Sequence, residues 1–452
     1  MTVDRSRLPA LGPEPTFFFP DIRRRVLANG LRVCTVEHRD VPVLNTLLLL
    51  PAGAADDPAD RPGLAAITGD LLDEGTGTLN ALEFHEALGR LGATIDTEVG
   101  SDATLLGITT LERFAERGLD LLADLATRPR LDAREFERVR ELRLNRLRQL
   151  RDVPSAVAER VFVQRLYGEH PYGHLSIGTE DSLAALTVDD VIRFHDTRYD
   201  PGFATLVVVG DATHDRLADL ADRAFGRWEA APHRRRAERS DLAPPLPEER
   251  LLLVHRPGAA QSELRIGHVS VTRSTPDYHA LLTLNMIVGG QFVSRINMNL
   301  REKKGYTYGA RTSFDIRRGP GPFVLQAGVQ SEATTDAIRE AIGELRAIRE
   351  DRPVSHEELL LGRAALTRGY PRNFETGDQI ARAAAQLALY ELPDDYFSKF
   401  VPTVLGLTEQ DVTRAGVTHI HPDRLLTVVV GDRDKIGPTM ESLGKVTEIE
   451  LL

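Results

Sequence analysis

The chain has 452 residues, a length that exceeds what one hydrophobic core supports and suggests about two to four domains. Its composition, with 42% hydrophobic and 27% charged residues, is typical of a soluble globular protein. The net charge of −11, with both signs mixed along the chain, argues against a nucleic-acid-binding protein, because such proteins concentrate positive charge.

The beginning of the chain is rich in proline and charge and lacks the apolar core of a signal peptide. The apolar stretch 43–50 is far too short to span a bilayer. We therefore expect a cytoplasmic protein that does not act at a membrane. Cys34 is the single cysteine, so neither an intrachain disulfide nor a cysteine-based metal cluster can form. Its alternating strand context predicts a small buried side chain.

Strands and helices are interspersed through the first half of the chain. Apolar patterns predict strands over residues 25–37, 43–51, 93–110 and 204–209. Helical spacing predicts helices over residues 64–72, 82–91, 114–126 and 133–151.

The end of this half recurs later in the chain. Residues 186–211 align with residues 407–432 without a gap, and about half of the aligned positions are identical. A helix-capping threonine, a proline turn and a Val-Val-Val-Gly-Asp strand end occur in the same register in both copies. We interpret this repeat as an internal duplication.

A charged, proline-rich segment separates the two copies. Residues 229–250 contain four prolines and no apolar period, which is typical of an interdomain linker. The arginine run 234–236 lies in this segment, so we interpret it as part of a solvated linker and not as a nucleic-acid-binding patch. We accordingly assign an N-terminal half to residues 1–229, a linker to residues 230–250 and a C-terminal half to residues 251–452.

The C-terminal half again mixes the two kinds of element. Strands are predicted over residues 251–255 and 263–271, and helices over residues 276–288, 334–349 and 355–369. The predicted fold class is therefore α+β, with two homologous α/β sandwich halves. In each half, an antiparallel-leaning sheet is covered by helices.

The stretch 289–310 combines a predicted helix with a strand. The glycine pair at its start is expected to open the helix, and Phe292, Ile296 and Leu300 fall on one helix face. Gly305 is a natural helix stop. Residues 306–308, Tyr-Thr-Tyr, then alternate as in a strand, so that both tyrosines are expected to point the same way.

This arrangement delivers Arg301, on the last helical turn, and Tyr308, on the strand, to one corner. A long cation and a neutral phenol donor can hold a peptide carbonyl or a developing oxyanion there. The spacing alone also fits an exposed arginine beside a half-buried tyrosine with no shared role, and it favours that simpler interpretation.

The segment Leu300-Arg-Glu-Lys-Lys-Gly-Tyr-Thr-Tyr308, the two α+β halves and the charged linker together resemble the pitrilysin/insulinase family of zinc metallopeptidases. Shorter matching pieces include Glu74-Gly-Thr76, His170-Pro-Tyr-Gly173 and Pro257-Gly-Ala-Ala-Gln261. The resemblance implies that the two halves together form half of a clam-shell chamber. It also implies that Arg301 and Tyr308 grip the substrate.

The zinc motif of that family is missing from this chain. Family members that cut peptides carry His-x-x-Glu-His on the first helix, where two imidazoles bind zinc and the glutamate activates a water. Here Ala66 and Asp70 occupy the histidine positions and Gly69 the glutamate position. On a later helix, Asn145 or Arg146 replaces the expected third ligand. We therefore predict no metal site and no other cofactor in this chain.

The remaining histidines suggest no replacement site. None of the 13 histidines forms the motif in either direction. His170 and His174 are four residues apart, but the intervening Pro-Tyr-Gly breaks any helix that would align them. His419 and His421 share a face of a possible strand without a matching arrangement of carboxylates.

The resemblance and the missing ligands together imply a non-catalytic, substrate-gripping subunit of a two-subunit zinc metalloendopeptidase. Such an enzyme cleaves peptides or unfolded polypeptides in a closed chamber. The expected partner is a paralogous subunit that carries the zinc and forms a heterodimer with this chain. The alternative is a structural or peptide-binding scaffold with no role in proteolysis. The retained Arg301 and Tyr308 count against the scaffold, which needs no carbonyl grip.

Overall fold

The computed structural model describes residues 17–230, 244 and 246–450. Most of the predicted linker 230–250, including the arginine run 234–236, lies outside the described residues. In the part of the chain that is described, no helix is both long enough and apolar enough to cross a membrane.

The first half is built on a six-stranded sheet. Its elements are β1 (Arg23–Val26), β2 (Arg32–Glu37), β3 (Val43–Leu50), a short hairpin of β4 (Gly75–Thr76) and β5 (Leu79–Asn80), β6 (Thr94–Val99), β7 (Thr104–Leu111) and β8 (Thr205–Gly210). The large sheet has the order β1-β2-β8-β3-β7-β6, and only β2 and β8 run parallel. The predicted antiparallel-leaning sheet is therefore confirmed.

Eight helices accompany this sheet in the described first half. They are α1 (Leu64–Leu71), α2 (Ala81–Leu91), α3 (Ala115–Thr127), α4 (Ala133–Arg151), α5 (Pro154–Tyr167), α6 (Glu180–Ala185), α7 (Val188–Arg198) and α8 (His214–Phe225). Their ends follow local chemistry: the Asn80 side chain caps α2, and Gly92 ends it in the left-handed conformation. Helices α1 and α3 bury their apolar faces in one core with β3 and β7.

The second half repeats the plan. Its strands are β9 (Leu251–His255), β10 (Gln261–Val269), β11 (Thr307–Phe314), β12 (Pro322–Gln330), β13 (Leu426–Gly431) and β14 (Thr447–Ile449). Its helices are α9 (Tyr278–Asn285), α10 (Arg295–Asn297), α11 (Thr334–Ala347), α12 (His356–Thr367), α13 (Gly377–Leu389), α14 (Tyr396–Gly406), α15 (Glu409–His419) and α16 (Arg433–Met440). Two π-helical segments, Met286–Gly290 and Met298–Lys303, continue α9 and α10.

The two sheets have matching strand orders. The second sheet has the order β11-β12-β10-β13-β9-β14, so its first five strands in this order correspond one by one to β6, β7, β3, β8 and β2. The repeated sequence lies on α7 and β8 in one half and on α15 and β13 in the other. Thr187 and Thr408 cap the two helices with the same pattern of hydrogen bonds. The two predicted homologous halves are therefore confirmed.

Each half also supplies a helix to the other half's sheet. Phe162 of helix α5 is buried in one core with Val428 of the second sheet. Ala384 of helix α13 is buried in one core with Val207 of the first sheet. The exchange buries apolar surface from both halves in shared cores, so the halves are held together as one unit.

Candidate functional site

The helix that precedes the Arg301 corner begins later than predicted. It starts at Arg295 after Ser294, and Gly289 and Gly290 end the preceding π-helical segment instead of opening a new helix. Gly289 is required by close packing, because a β-carbon there would lie 2.7 Å from the backbone nitrogen of Thr312. Because the helix begins only at Arg295, part of the predicted apolar face lies outside the helix.

Ile296 and Leu300 are fully buried in the core of the second half, as the pattern predicts. Phe292 lies in the turn before the helix and is 57% exposed, so its predicted place on the buried face is wrong. The predicted stop at Gly305 is confirmed: its φ is +65°, and its N–H donates to the carbonyl of Arg301 at 3.1 Å.

Strand β11 begins with a bulge. Thr307 pairs with Val329 and Ala310 pairs with Ala327, so one extra residue of β11 is inserted between two pairs. The Thr307 hydroxyl stabilises the bulge, because it accepts from the N–H of Gly309 at 3.0 Å and lies 2.7 Å from the carbonyl oxygen of Gly328.

The bulge separates the two tyrosines that were expected to point the same way. Tyr306 precedes the strand and packs against the core, whereas Tyr308 is 89% exposed. That prediction is wrong because the period of two applies only to a regular strand.

Arg301 and Tyr308 line one open groove of about 550 Å³. The Arg301 guanidinium stacks on Phe292, 4.2 Å from the ring centroid, and its Nε lies 3.5 Å from Glu302. Stacking on an aromatic ring fixes the plane of a guanidinium while its outer N–H groups stay available. The exposed Phe292 therefore acts as a platform for Arg301.

The corner is anchored from behind by Arg295, a buried residue that the sequence analysis did not single out. Its guanidinium forms a two-pronged ion pair with Glu358 on α12, with both N···O distances 2.7 Å. It also donates to the carbonyls of Arg352 and Pro353. Burial raises the pKa of Glu358, but hydrogen bonds from Arg295 and from the backbone of Ser355 outweigh it and lower the pKa to about 2.

The positions that would hold zinc lie in the first half, on α1 and α4. Ala66 and Gly69 are buried, and Asp70 forms an ion pair with Arg143 at 2.7 Å. Of the two candidates for the third position, Arg146 lines the adjoining groove of about 440 Å³. Asn145 instead accepts a hydrogen bond from Arg148 at 2.9 Å.

These residues do not fit a zinc ion. Zinc sites in proteins use imidazole, thiolate or carboxylate ligands, and the only such group at the three motif positions is the Asp70 carboxylate, which Arg143 already neutralises. A β-carbon on Gly69 would lie 2.7 Å from a methyl group of Val99, so a glutamate side chain fits there only if the Val99 side chain shifts.

Elsewhere in the described residues, one group of side chains has the spacing of metal ligands: His255, Asp432 and Asp434. Asp432 accepts from the N–H groups of Gly258 and Asp434, and His255 Nδ1 accepts from the N–H of Arg433. The bonds to Arg433 and Asp434 cap the first turn of α16, and the bond to Gly258 ties that cap to the loop after β9, so we interpret the group as a helix cap.

The histidines considered in the sequence have structural partners. His174 Nε2 lies 3.1 Å from Asp57, whose carboxylate accepts from backbone N–H groups at the start of α1. His419 is the last residue of α15, so the prediction of a strand at this position is wrong. The His419 Nε2 lies 2.8 Å from the carboxylate of Asp277.

Comparisons with known proteins agree with this fold. Residues 32–180 match the family model "Insulinase (Peptidase family M16)", and residues 185–366 match the model "Peptidase M16 inactive domain". An uncharacterized zinc protease of Mycobacterium leprae is 26% identical over 351 residues, which cover 76% of this chain and 77% of the relative.

Solved structures share the whole architecture. A peptidase M16 inactive domain from Pseudomonas fluorescens superposes with a TM-score of 0.85 at 24% identity, covering 91% of this chain and 98% of that one. A protease from Helicobacter pylori gives a TM-score of 0.84 at 22% identity, covering 91% and 99%.

Proposed function

This chain belongs to the insulinase family of peptidases (M16), and we propose from that premise that it is the non-catalytic, substrate-gripping subunit of a two-subunit zinc metalloendopeptidase. One observation carries the proposal: Arg301 and Tyr308 converge on an open groove in a chain whose zinc-motif positions hold no imidazole.

The partner in this proposal is a paralogous subunit that supplies the zinc and the general base. When bound there, zinc would polarise the scissile carbonyl and activate a water. The present chain closes the other side of the chamber, excludes bulk water and presents its groove to the bound peptide.

The groove residues hold the peptide by hydrogen bonds. The Tyr308 phenol donates to the scissile carbonyl oxygen as negative charge develops on it. Arg301, held flat against Phe292 at 4.2 Å, donates to the same oxygen or to a neighbouring backbone carbonyl. Both groups only bind the substrate, so turnover requires the zinc and the general base of the partner subunit.

Co-purification of the native complex tests this proposal. Metal content and peptidase activity are measured on the complex and on this chain alone. We expect zinc and activity in the complex, and neither in the isolated chain. Cleavage of peptides by the isolated chain in a chelator-sensitive manner would show that the proposal is wrong.

Restoring the zinc motif should not restore zinc binding. We expect the triple variant Ala66→His, Gly69→Glu, Asp70→His to bind less than one zinc per chain by elemental analysis. It should also lose about 1–3 kcal/mol of unfolding free energy, because the new side chain at position 69 overpacks against Val99. A variant with one tightly bound zinc and unchanged stability would contradict this account.

The control for that experiment is Asp70→Asn. It breaks the ion pair with Arg143 but adds no volume at position 69. The Asp70 side chain is 46% exposed, so we expect a loss of less than about 1 kcal/mol. A loss as large as that of the triple variant would assign the damage to the ion pair instead of the overpacking.

A further inference from the structure

The groove that holds Arg301 and Tyr308 is lined by several arginines, which differ in whether a carboxylate lies beside them. Among the described residues, three guanidinium groups line it, those of Arg265, Arg301 and Arg311, and one carboxylate, that of Glu263. Cations whose charge is not compensated locally attract anionic ligands. The pairing of each arginine decides which one is available.

Two of the three arginines already have anionic neighbours. Arg265 is buried and pairs with Glu263 at 2.7 Å and with Glu159 of α5 at 2.9 Å. Arg301 lies 3.5 Å from Glu302. These carboxylates compensate the charges of both guanidinium groups.

Arg311 differs from both. Its Nε and Nη2 donate to the side-chain oxygen of Gln326, at 3.3 Å and 3.1 Å. That oxygen is a neutral acceptor, and within the part of the chain that the structure describes, no ion pair joins Arg311 to a carboxylate. The amide therefore fixes the orientation of an exposed guanidinium without neutralising it.

The bulge in β11 brings this cation into the same groove as Tyr308. In a regular strand, two residues three positions apart lie on opposite faces. The extra residue between Thr307 and Ala310 shifts the alternation, and both Tyr308 and Arg311 line the groove. At about 3.3 Å per residue, their side chains are separated by about 7–10 Å, which corresponds to two or three residues of an extended peptide.

The space between them is open. Gly309 lies between Tyr308 and Arg311 along the strand, and a β-carbon there would approach only Asn297, at 3.9 Å. An extended peptide can therefore lie along this floor and contact both side chains.

We propose that Arg311 is a specificity-determining residue that binds a carboxylate of the peptide, two or three residues from the carbonyl held by Arg301 and Tyr308. The carboxylate belongs to an acidic side chain or to the peptide's C-terminus. This inference rests on the proposed function of the same groove, because it assumes that a peptide occupies it.

Binding of labelled peptides to the full chain tests the inference by fluorescence anisotropy. One peptide series moves a single aspartate through successive positions, each matched by an asparagine peptide, and a second series compares free C-terminal acids with amides. At one position, we expect the acid form to bind about tenfold more tightly than its neutral match. Tighter binding of an aspartate peptide at one internal position would identify an acidic side chain as the ligand of Arg311. Tighter binding of the free acid than of the amide would identify the peptide's C-terminal carboxylate.

The Arg311→Gln variant should bind the acidic and neutral peptides with about equal affinity. The Arg311→Lys variant should keep part of the preference for the acidic peptide. Arg339→Gln is the matched control, because Arg339 is an exposed arginine on α11, outside the groove, and its loss changes the net charge equally. The inference is overturned if neutral and acidic peptides bind alike, if the preference survives in Arg311→Gln, or if no peptide binds at millimolar concentration.

Kinetics of the native complex separate this inference from the proposed function. A complex that depends on Tyr308 but cleaves acidic and neutral peptides with equal kcat/KM rejects the role of Arg311 alone. The opposite outcome is a carboxylate preference that depends on Arg311 together with a Tyr308→Phe variant of unchanged proteolytic activity. This outcome rejects the proposed role of Tyr308 and supports the carboxylate-binding role of Arg311.

Discussion

Replacing Tyr308 with phenylalanine should lower the kcat of the complex by about 10²–10³-fold, the usual effect of removing one donor from an oxyanion site. The change removes only the phenolic oxygen from a side chain that is 89% exposed, so we expect the free energy of unfolding to stay nearly unchanged. Steady-state cleavage of a fluorogenic peptide by the purified complex measures the effect. KM should change far less than kcat if the hydrogen bond forms mainly in the transition state.

Tyr306→Phe is the matched control for this prediction. Tyr306 lies two residues away, packs against the core and does not line the groove, so its hydroxyl should contribute little to kcat. Both variants should assemble with the partner and leave its zinc content unchanged. If Tyr308→Phe has full activity, the chain does not grip the substrate through this residue, and the scaffold interpretation becomes the better one.

The sequence predicts the fold class well because short apolar runs typical of strands and segments with helical spacing follow one another in each half. The duplication follows from the repeat at 186–211 and 407–432, and the matching strand orders confirm it. The exchange of α5 and α13 between halves is not predicted. About half of the residues of each helix are buried. An apolar helix face shows that a helix packs against something but does not specify which sheet it covers.

The candidate site was predicted only in part, for local structural reasons. Arg301 and Tyr308 were found because the motif places them close together in sequence. The platform role of Phe292 was missed, because its spacing also fits a buried helix face. The bulge that places Arg311 in the groove depends on cross-strand register, which a single strand's sequence does not specify.

Arg295→Ala should have the largest effect on stability. The Arg295 side chain is 4% exposed. Its loss would remove the donor to two backbone carbonyls and leave the Glu358 carboxylate with only its hydrogen bonds from Ser355. Breaking a buried ion pair by removing one partner typically costs about 3–5 kcal/mol. Urea unfolding of the full chain at pH 7 measures this loss. Arg339→Ala is the control, because it breaks an exposed pair with Asp336 and should cost less than about 1 kcal/mol.

The pH dependence of this loss distinguishes the ion pair from simple loss of volume. The pKa of Glu358 is about 2 in the folded chain, below the value of about 4.3 for an unfolded glutamate. Its stabilising contribution is therefore complete above about pH 4.3 and is lost as the pH falls through about 2. In Arg295→Ala, the folded pKa should return toward the ordinary value, so the stability difference between wild type and variant should narrow from pH 7 to pH 3. A difference that stays constant over this range would mean that Arg295 stabilises the corner by packing, and that its charge contributes little.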